Sequence, residues 1–518
     1  MTETIKLLEL FSGIQSQEKA LAQIGIPYES VGVCDCDKDV LVASAAMRFV
    51  LEKEIENYDF PDTETMIKEL QDKNIGYSFE KKKHTITSRT PISKLKQYYI
   101  SDKILKNLGD ISKVEKLPKS DLLTYSAPCV DFSVAGRLDG AKNICDKCGH
   151  KWEIDFSNPE SNSICPNCGN TNLKSTRSGL LGQVQRLLGI AKENDTLPKY
   201  LLLENVKNLV GKKFKPQFDA WIKYLDSIGY NTYYKVLNSK NYSIPQNRER
   251  VFAISIRKDI DTNGFTFPEP IPLTTRLKDI LEINVDDKYY LPDERIEKLL
   301  NLSKNTNTEP FVVASRGRNP ENPFDRTTGA PTEQRFEPNF SGTTNCLTSV
   351  AKDNYICEPV IIEDFYKSRE ARIYSETAPT LRSERIGLEV AEEFPCSTRG
   401  KQVASAIRAS IYKQGARNIE ENIINGLGYE GVVEKEQPIN RWRIRKLTPV
   451  ECWRLMGFTD EDHNRAAQYV SASARYKQAG NSIVVNTLVS LFSSLLVDNG
   501  YKSEIWTKYI TDFTDKSH

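Results

Sequence analysis

The chain has almost no net charge. Its 71 lysines and arginines offset 70 aspartates and glutamates over 518 residues. No global field therefore draws it to nucleic acid or to a membrane, and any such affinity has to come from local patches. The start, Met1-Thr2-Glu3-Thr4-Ile5-Lys6, shows no signal-peptide pattern. A membrane span is missing too. The most apolar late stretch, Ile483 to Val497, is short, contains Asn486 and several serines, and reads as a buried C-terminal helix. Without a secretion signal, the 11 cysteines point to thiols or metal ligands rather than disulfides, and to a cytoplasmic setting. What remains, 39% hydrophobic and 27% charged, suits a soluble globular protein. The length suggests about three domains.

Lys6 to Phe11 reads as a first strand, followed by a Gly turn and a helix from Gln17 to Ile24; Val31 to Cys34 reads as a second strand. Strand–helix–strand order predicts a parallel sheet with helices on both faces. Residues 50–105, rich in Glu and Lys, interrupt it as an insertion, with a helix expected over Thr63 to Lys73. The run Lys81-Lys82-Lys83 reads as a solvated face. The sheet pattern resumes at Gly109-Asp110-Ile111, then at Asp121 to Tyr125, Tyr200 to Leu203 and Val251 to Ile256. Beyond Pro268, Pro270 and Pro272 the chain turns irregular, with short β-like runs. Helical pattern returns at Thr448, a credible N-cap, with Pro449 at the first helical position and Glu451 completing a capping box.

Four segments carry chemistry. Ser126-Ala127-Pro128-Cys129 places a thiol at the C-terminal end of a strand, where ligands bind in α/β folds. Glu204-Asn205-Val206 adds an acid at another strand end. Gln246-Asn247-Arg248-Glu249-Arg250 adds a basic fork, and Gly480-Asn481-Ser482 a polar turn. A Cys with a carboxyl and arginines nearby can attack an electron-poor ring. A fifth signal is separate. Cys145-x2-Cys148 and Cys165-x2-Cys168 have the spacing of a tetrahedral structural Zn2+ site, with His150 left outside a shell that four thiolates close.

Together with Phe11-Ser12-Gly13, these segments stand in an order that resembles the DNA (cytosine-5) methyltransferase family, over about the first 260 and the last 80 residues. The resemblance implies an S-adenosylmethionine-dependent, Rossmann-like mixed sheet with helices on both faces, in residues 1–265. It places a smaller, mainly irregular or β target recognition domain in 266–440, and a return to the catalytic domain in 441–518. A zinc ribbon occupies 143–172. S-adenosylmethionine is expected on Phe11, Ser12, Gly13, Ile14, Asp35, Asp110, Ile111, Pro128, Asn481 and Ser482, with Asp35 on the ribose hydroxyls and Asp110 on the adenine amino group. Gln478 belongs to the same C-terminal motif, and Arg177 matches a position near the helix after the catalytic loop. The family has more glycine in the first turn, where this chain has Ile14-Gln15-Ser16.

Catalysis is expected from Cys129, adding to C6 of cytosine. Glu204 would hold N3 and the exocyclic amine, with a pKa raised by burial. Arg248 and Arg250 alternate and so share a face of a strand, with Arg250 ranked first. Other readings stay open here: a helix cap for Asp35 or Glu204, and a structural ion pair for either arginine. The loop Val134 to Asn143, with Gly136 and Gly140 as hinges and Arg137 on a phosphate, is the natural lid over a base rotated out of its duplex. The ribbon then props that lid or touches DNA through Lys142, Lys147, Lys151 and Lys174, or is a tolerated insertion. Arg316, Arg318, Arg326, Arg335, Arg369, Arg372, Arg382 and Arg385, with a stripe of Arg441, Arg443, Arg445 and Lys446, could meet bases or phosphates. The partner is double-stranded DNA, bound by a monomer, with a cognate restriction endonuclease acting separately where one exists. An RNA cytosine methyltransferase and an inactive DNA-binding relative are the competing readings.

Overall fold

The computed structural model describes residues 4–78, 81–128, 140–157, 162, 164–171, 173–176, 178–292, 310–322, 331–348, 354–359, 361–363, 372–374, 388–390, 442–497 and 501. The chain forms two compact units, residues 1–274 with 452–518, and residues 275–451.

The first unit is built on a six-stranded sheet. Its strands are β1 (Ile5–Leu10), β2 (Tyr28–Cys34), β3 (Leu122–Tyr125), β4 (Tyr200–Val206), β5 (Tyr230–Asn238) and β6 (Glu249–Arg257), in the order β5-β6-β4-β3-β1-β2. β4, β3, β1 and β2 are parallel, and their apolar runs are buried on both faces, as a sheet covered on both sides requires. β6 runs antiparallel to both neighbours. This reversal delivers the start of β6 to the edge where the parallel strands end, and Arg250 pairs in register with Val206. The mixed sheet expected from sequence is thus present.

Local chemistry sets the flanking helices. α1 (Ser16–Ile24) closes on Gly25, left-handed at φ 68, whose amide meets the carbonyls of Leu21 and Ala22. α2 (Lys38–Arg48) is capped by Asp37, which accepts from the amides of Asp39 and Val40. Between α2 and β3 the insertion forms helices Leu51–Asn57, Thr63–Asp72 and Ile92–Ile104. Lys81, Lys82 and Lys83 are exposed, the solvated face their sequence suggested. Gly109-Asp110-Ile111 is not a strand. Asp110 instead caps a short 3-10 turn, Ile111–Lys113, by accepting from the Ser112 amide. The stretch Ala472–Val497 passes the length and apolarity test for a membrane span, yet 72% of its most apolar window is buried in the fold.

The second unit carries a four-stranded antiparallel sheet in the order Glu333–Asn339, Phe311–Arg318, Tyr355–Pro359, Trp442–Lys446. Phe311, Val313, Tyr355, Cys357 and Ile444 form its core. Arg445 corrects the basic stripe. It is fully buried, with Nε 2.6 Å from Glu358 and Nη1 2.8 Å from Glu451. Glu451 also completes the capping box with Thr448, accepting its amide at 2.7 Å. Arg443 pairs with Asp287 at 2.8 Å and lies over the Tyr290 ring. Arg441, Arg326, Arg369, Arg382 and Arg385 lie outside the described residues.

Candidate active site and metal centre

The C-terminal ends of β1, β2, β3 and β4 lie in one row, with Leu10 paired to Cys34 and Tyr125, and Tyr125 to Leu203. The residues just beyond them form the site. After β1 the backbone takes three left-handed steps, at Phe11 (φ 56), Gly13 (φ 53) and Gln15 (φ 55). At Gly13 a Cβ would meet nothing within 4 Å, so the turn faces open space. The Gly13 amide donates to Asp35 Oδ2 at 3.2 Å, and the Phe11 amide to the Cys34 carbonyl at 2.8 Å. Ser12 and Ile14 are buried, so Ile14 can offer a ligand its backbone rather than its side chain.

Asp35 is not a helix cap; Asp37 has that task. Asp35 keeps part of its side chain within reach of solvent, and it takes amide donors from Gly13 and, at 2.8 Å, from Asp37. Burial, then the charge of Asp37, push its carboxyl up to about 6, against the amide donors and Lys477. Asn107 braces it, bonding both its amide and its carbonyl at 3.1 Å. Asp110 accepts from Ser112 and, at 2.7 Å, from Asn74 of the insertion. Ile111 is buried, and its carbonyl takes Arg186.

The second cluster surrounds Glu204. Its Oε2 accepts from Ser126 Oγ at 2.6 Å, and its Oε1 lies 3.2 Å from Arg250 Nε. Asn205 ties β4 to the segment that follows β3 by donating to the Ala127 carbonyl at 3.0 Å. Arg248 goes elsewhere. Its guanidinium bonds the carbonyls of Gly480, at 3.3 Å, and Ser482, at 2.7 Å. The two arginines do not share a face because Gln246–Asn247 and Glu249–Arg257 are separate strands, and the alternation rule does not cross the break at residue 248. Gln478 donates to the Asp39 carbonyl at 2.9 Å, while the Asn481 side chain is exposed. Pro128 is the last described residue before the thiol; Cys129 and Arg177 lie outside the described residues. The sequence reading quoted Ser126 within its motif without giving it a role, and Asn107 and Lys477 escaped it. The signal for Ser126 was a hydroxyl at a strand end, next to the thiol-bearing loop.

The four ribbon cysteines converge. Their sulfurs all lie within 4.8 Å of one another, with Cys145 and Cys168 at 3.5 Å and Cys148 and Cys165 at 3.7 Å. Ligands about 2.3 Å from a tetrahedral zinc would stand roughly 3.8 Å apart, so the cluster fits such an ion. The two knuckles are built alike. Cys145 N bonds His150 O and Cys165 N bonds Asn170 O, and each turn closes through a left-handed glycine, Gly149 or Gly169. Asn170 and Asn167 point amides at Cys145 and Cys148. His150 stacks on Trp152. Below, Ile154 and Phe156 enter the core, with Phe156 edge-on to Trp221 and its carbonyl bonded by Gln185.

The ribbon leaves and rejoins the fold at one point. Thr176 donates through its amide to Lys142 O at 2.9 Å and through Oγ to Gly140 O at 2.9 Å. Gly140, expected as a hinge, is packed over Phe214, where a Cβ would sit 3.0 Å from the ring.

A left-handed turn after β1, a buried carboxyl paired with an arginine, and a polar C-terminal turn thus lie along one edge of this sheet. The sequence matches the C-5 cytosine-specific DNA methylase family over residues 73–147 and 167–496, and the chain belongs to that family. It is accordingly an S-adenosylmethionine-dependent DNA methyltransferase acting at C5 of cytosine. It is 30% identical over 497 residues to the type II methyltransferase M2.ScrFI of Lactococcus lactis subsp. cremoris, covering 95% of this chain and 99% of that one. It is 30% identical over 534 residues to the orphan methyltransferase M.SPBetaI of Bacillus phage SPbeta, covering 95% and 97%. Of solved structures, the S. pombe Dnmt2 methyltransferase is matched over 96% of this chain and 100% of that one, at 15% identity and a TM-score of 0.42.

Proposed function

We propose that this chain methylates C5 of a cytosine rotated out of a specific duplex DNA sequence, through a covalent bond from Cys129 to C6. The observation that carries the reading is the Ser126–Glu204–Arg250 cluster at the end of β4, with Asn205 bonded to Ala127, which stands two residues before Cys129 in the sequence. Addition of the Cys129 thiolate to C6 pushes electrons toward N3, where Glu204 shares its proton, and leaves an electron-rich C5. Arg250 holds Glu204 in place, and Ser126 fixes its second oxygen. After the methyl group has moved to C5, loss of the C5 proton and expulsion of the thiolate restore the ring. Arg248 serves the site indirectly, by holding the Gly480–Ser482 turn.

Phe11, Ser12 and Gly13, with Asp35, Asp110, Ile111, Pro128, Asn481 and Ser482, would hold S-adenosylmethionine. The open space over Gly13 and the carboxyl of Asp35 beside it suit that ligand. The cofactor supplies an electrophilic methyl group. Zn2+ in the Cys145, Cys148, Cys165 and Cys168 cluster would have a structural role, since four thiolates leave no open position. Residues within 275–451 would read the target sequence. The protein would act as a cytoplasmic monomer, with any cognate endonuclease separate.

Bisulfite sequencing of a plasmid from expressing cells tests this beside a Cys129→Ala control. Conversion-resistant cytosines in one sequence context, absent from the control, are expected. Soluble protein without protected cytosines would refute it.

A further inference from the structure

The first turn departs from its family at Gln15 and Ser16, and both side chains are committed to buried bonds. Gln15 occupies a left-handed conformation that costs a non-glycine residue about 1–2 kcal/mol. It reaches down to Glu9 in β1, donating from Nε2 to Oε2 at 3.3 Å. Burial, then the negative charge of Glu18, hold the Glu9 carboxyl well above its usual range. Ser16, the first residue of α1, reaches sideways instead. Its Oγ lies 2.6 Å from Ser482 Oγ, and both residues are buried. Ser482 Oγ also lies 3.3 Å from the Ile483 carbonyl, to which it can give its single proton. Either hydroxyl can donate in the Ser16–Ser482 bond. The Ser482 carbonyl is in turn the 2.7 Å acceptor of Arg248, two residues before the Arg250 that faces Glu204.

We propose that Ser16 is a positioning residue for cofactor binding, whose hydroxyl locks the Phe11–Gly13 turn onto the Gly480–Ser482 turn and, through Arg248, onto the catalytic edge. A glycine at position 16 has no hydroxyl and cannot make this link. The lock replaces freedom of the turn with a fixed bond between segments 466 residues apart in sequence. It acts on the bound cofactor through backbone placement and leaves the groups that touch the base in place. The inference rests on the placement of S-adenosylmethionine over this turn.

Ser16→Ala, Ser482→Ala and the double variant of the full chain test it, by calorimetric titration with S-adenosylmethionine and by steady-state methylation. Each single variant should weaken cofactor binding about five- to tenfold, as expected when a buried hydroxyl loses its partner. For Ser16→Ala, kcat at saturating cofactor should stay within about twofold, since the groups on the base are untouched. The double variant should be no weaker than either single one, because all three lack the same bond. An unchanged dissociation constant, losses that multiply in the double variant, or a fall in kcat alone would overturn the lock. Ser16→Gly gives the same reading should alanine impair folding. Asp35→Asn and Phe11→Ala separate the two layers. Should they also leave cofactor binding intact, the placement over the turn is wrong. Should they weaken it while Ser16→Ala does not, the lock alone fails.

Discussion

At Ser126 a hydroxyl sits 2.6 Å from Glu204 Oε2, a close hydrogen bond. Such a bond is worth roughly 0.5–1.5 kcal/mol. If it holds Glu204 toward the ring in the transition state, Ser126→Ala should lower kcat by up to about tenfold, with cofactor affinity unchanged; equal kcat would remove Ser126 from the machinery. Asp35 makes a different prediction. Its carboxyl is raised from 3.8 to about 6 by burial and by Asp37. The acid form is favoured in the fold, so this group's contribution to ligand-free stability is full below pH 4 and is lost as pH rises through about 6. Cofactor binding runs the other way, because ribose hydroxyls donate best to the ionised form. Affinity for S-adenosylmethionine should rise with a midpoint near pH 6, and the step should vanish in Asp35→Asn. Glu204 and Arg250 were legible in the sequence because a short motif names them. Ser126 was not, since a serine before Pro-Cys has no distinctive pattern. Arg248 was misplaced because alternation was assumed to hold across a break between strands.

At the scale of elements, the ribbon is two knuckles with the same backbone bonding on a base buried in the core of the first unit. Its ends meet at Gly140 and Thr176, which bracket it just after the thiol-bearing loop and just before Arg177. Gly140, the first described residue after the thiol-bearing segment, is therefore bonded to the base of the ribbon in which the four cysteines converge. Cys148→Ser should drop bound zinc well below one equivalent per chain, measured by metal analysis, and open the 140–176 segment to limited proteolysis. Methylation should fall while cofactor binding persists. Full methylation by zinc-free protein would make the ribbon a tolerated insertion. The four cysteines were readable from spacing alone, because two CxxC pairs close together in sequence match a tetrahedral four-thiolate site. The parallel strands were readable because they are short, apolar and bounded by turns. β5 was not. It lies at the sheet's edge, and its mixture of buried, half-buried and exposed positions shows no period of two. Nor was the burial of Arg445. An arginine in a basic run looks solvated until Glu358 and Glu451, distant in sequence, close on it.

For the molecule as a whole, a net charge of +1 means that DNA must be held by local groups. In the second unit Arg316 and Arg335 stand directly opposite each other on paired strands, a like-charge pair that an anion would relieve. Arg335 is exposed, and Arg316 meets Glu337 at 3.5 Å. If they meet a phosphate, Arg335→Ala should weaken DNA binding and reduce the salt slope by about one. An unchanged slope would place this pair off the DNA. The complete reaction can be caught in one experiment. Fluorine at C5 of the target cytosine cannot leave as a proton, so after methyl transfer the Cys129 thiolate cannot be expelled. With S-adenosylmethionine and a 5-fluorocytosine duplex of the recognised sequence, the protein should form a denaturation-resistant complex of one chain per target. Cys129→Ala should form none, and matching RNA should trap none. A complex on RNA but not DNA would assign the chain to RNA. No complex on either, from protein that binds both cofactor and DNA, would leave a reader of DNA without the chemistry.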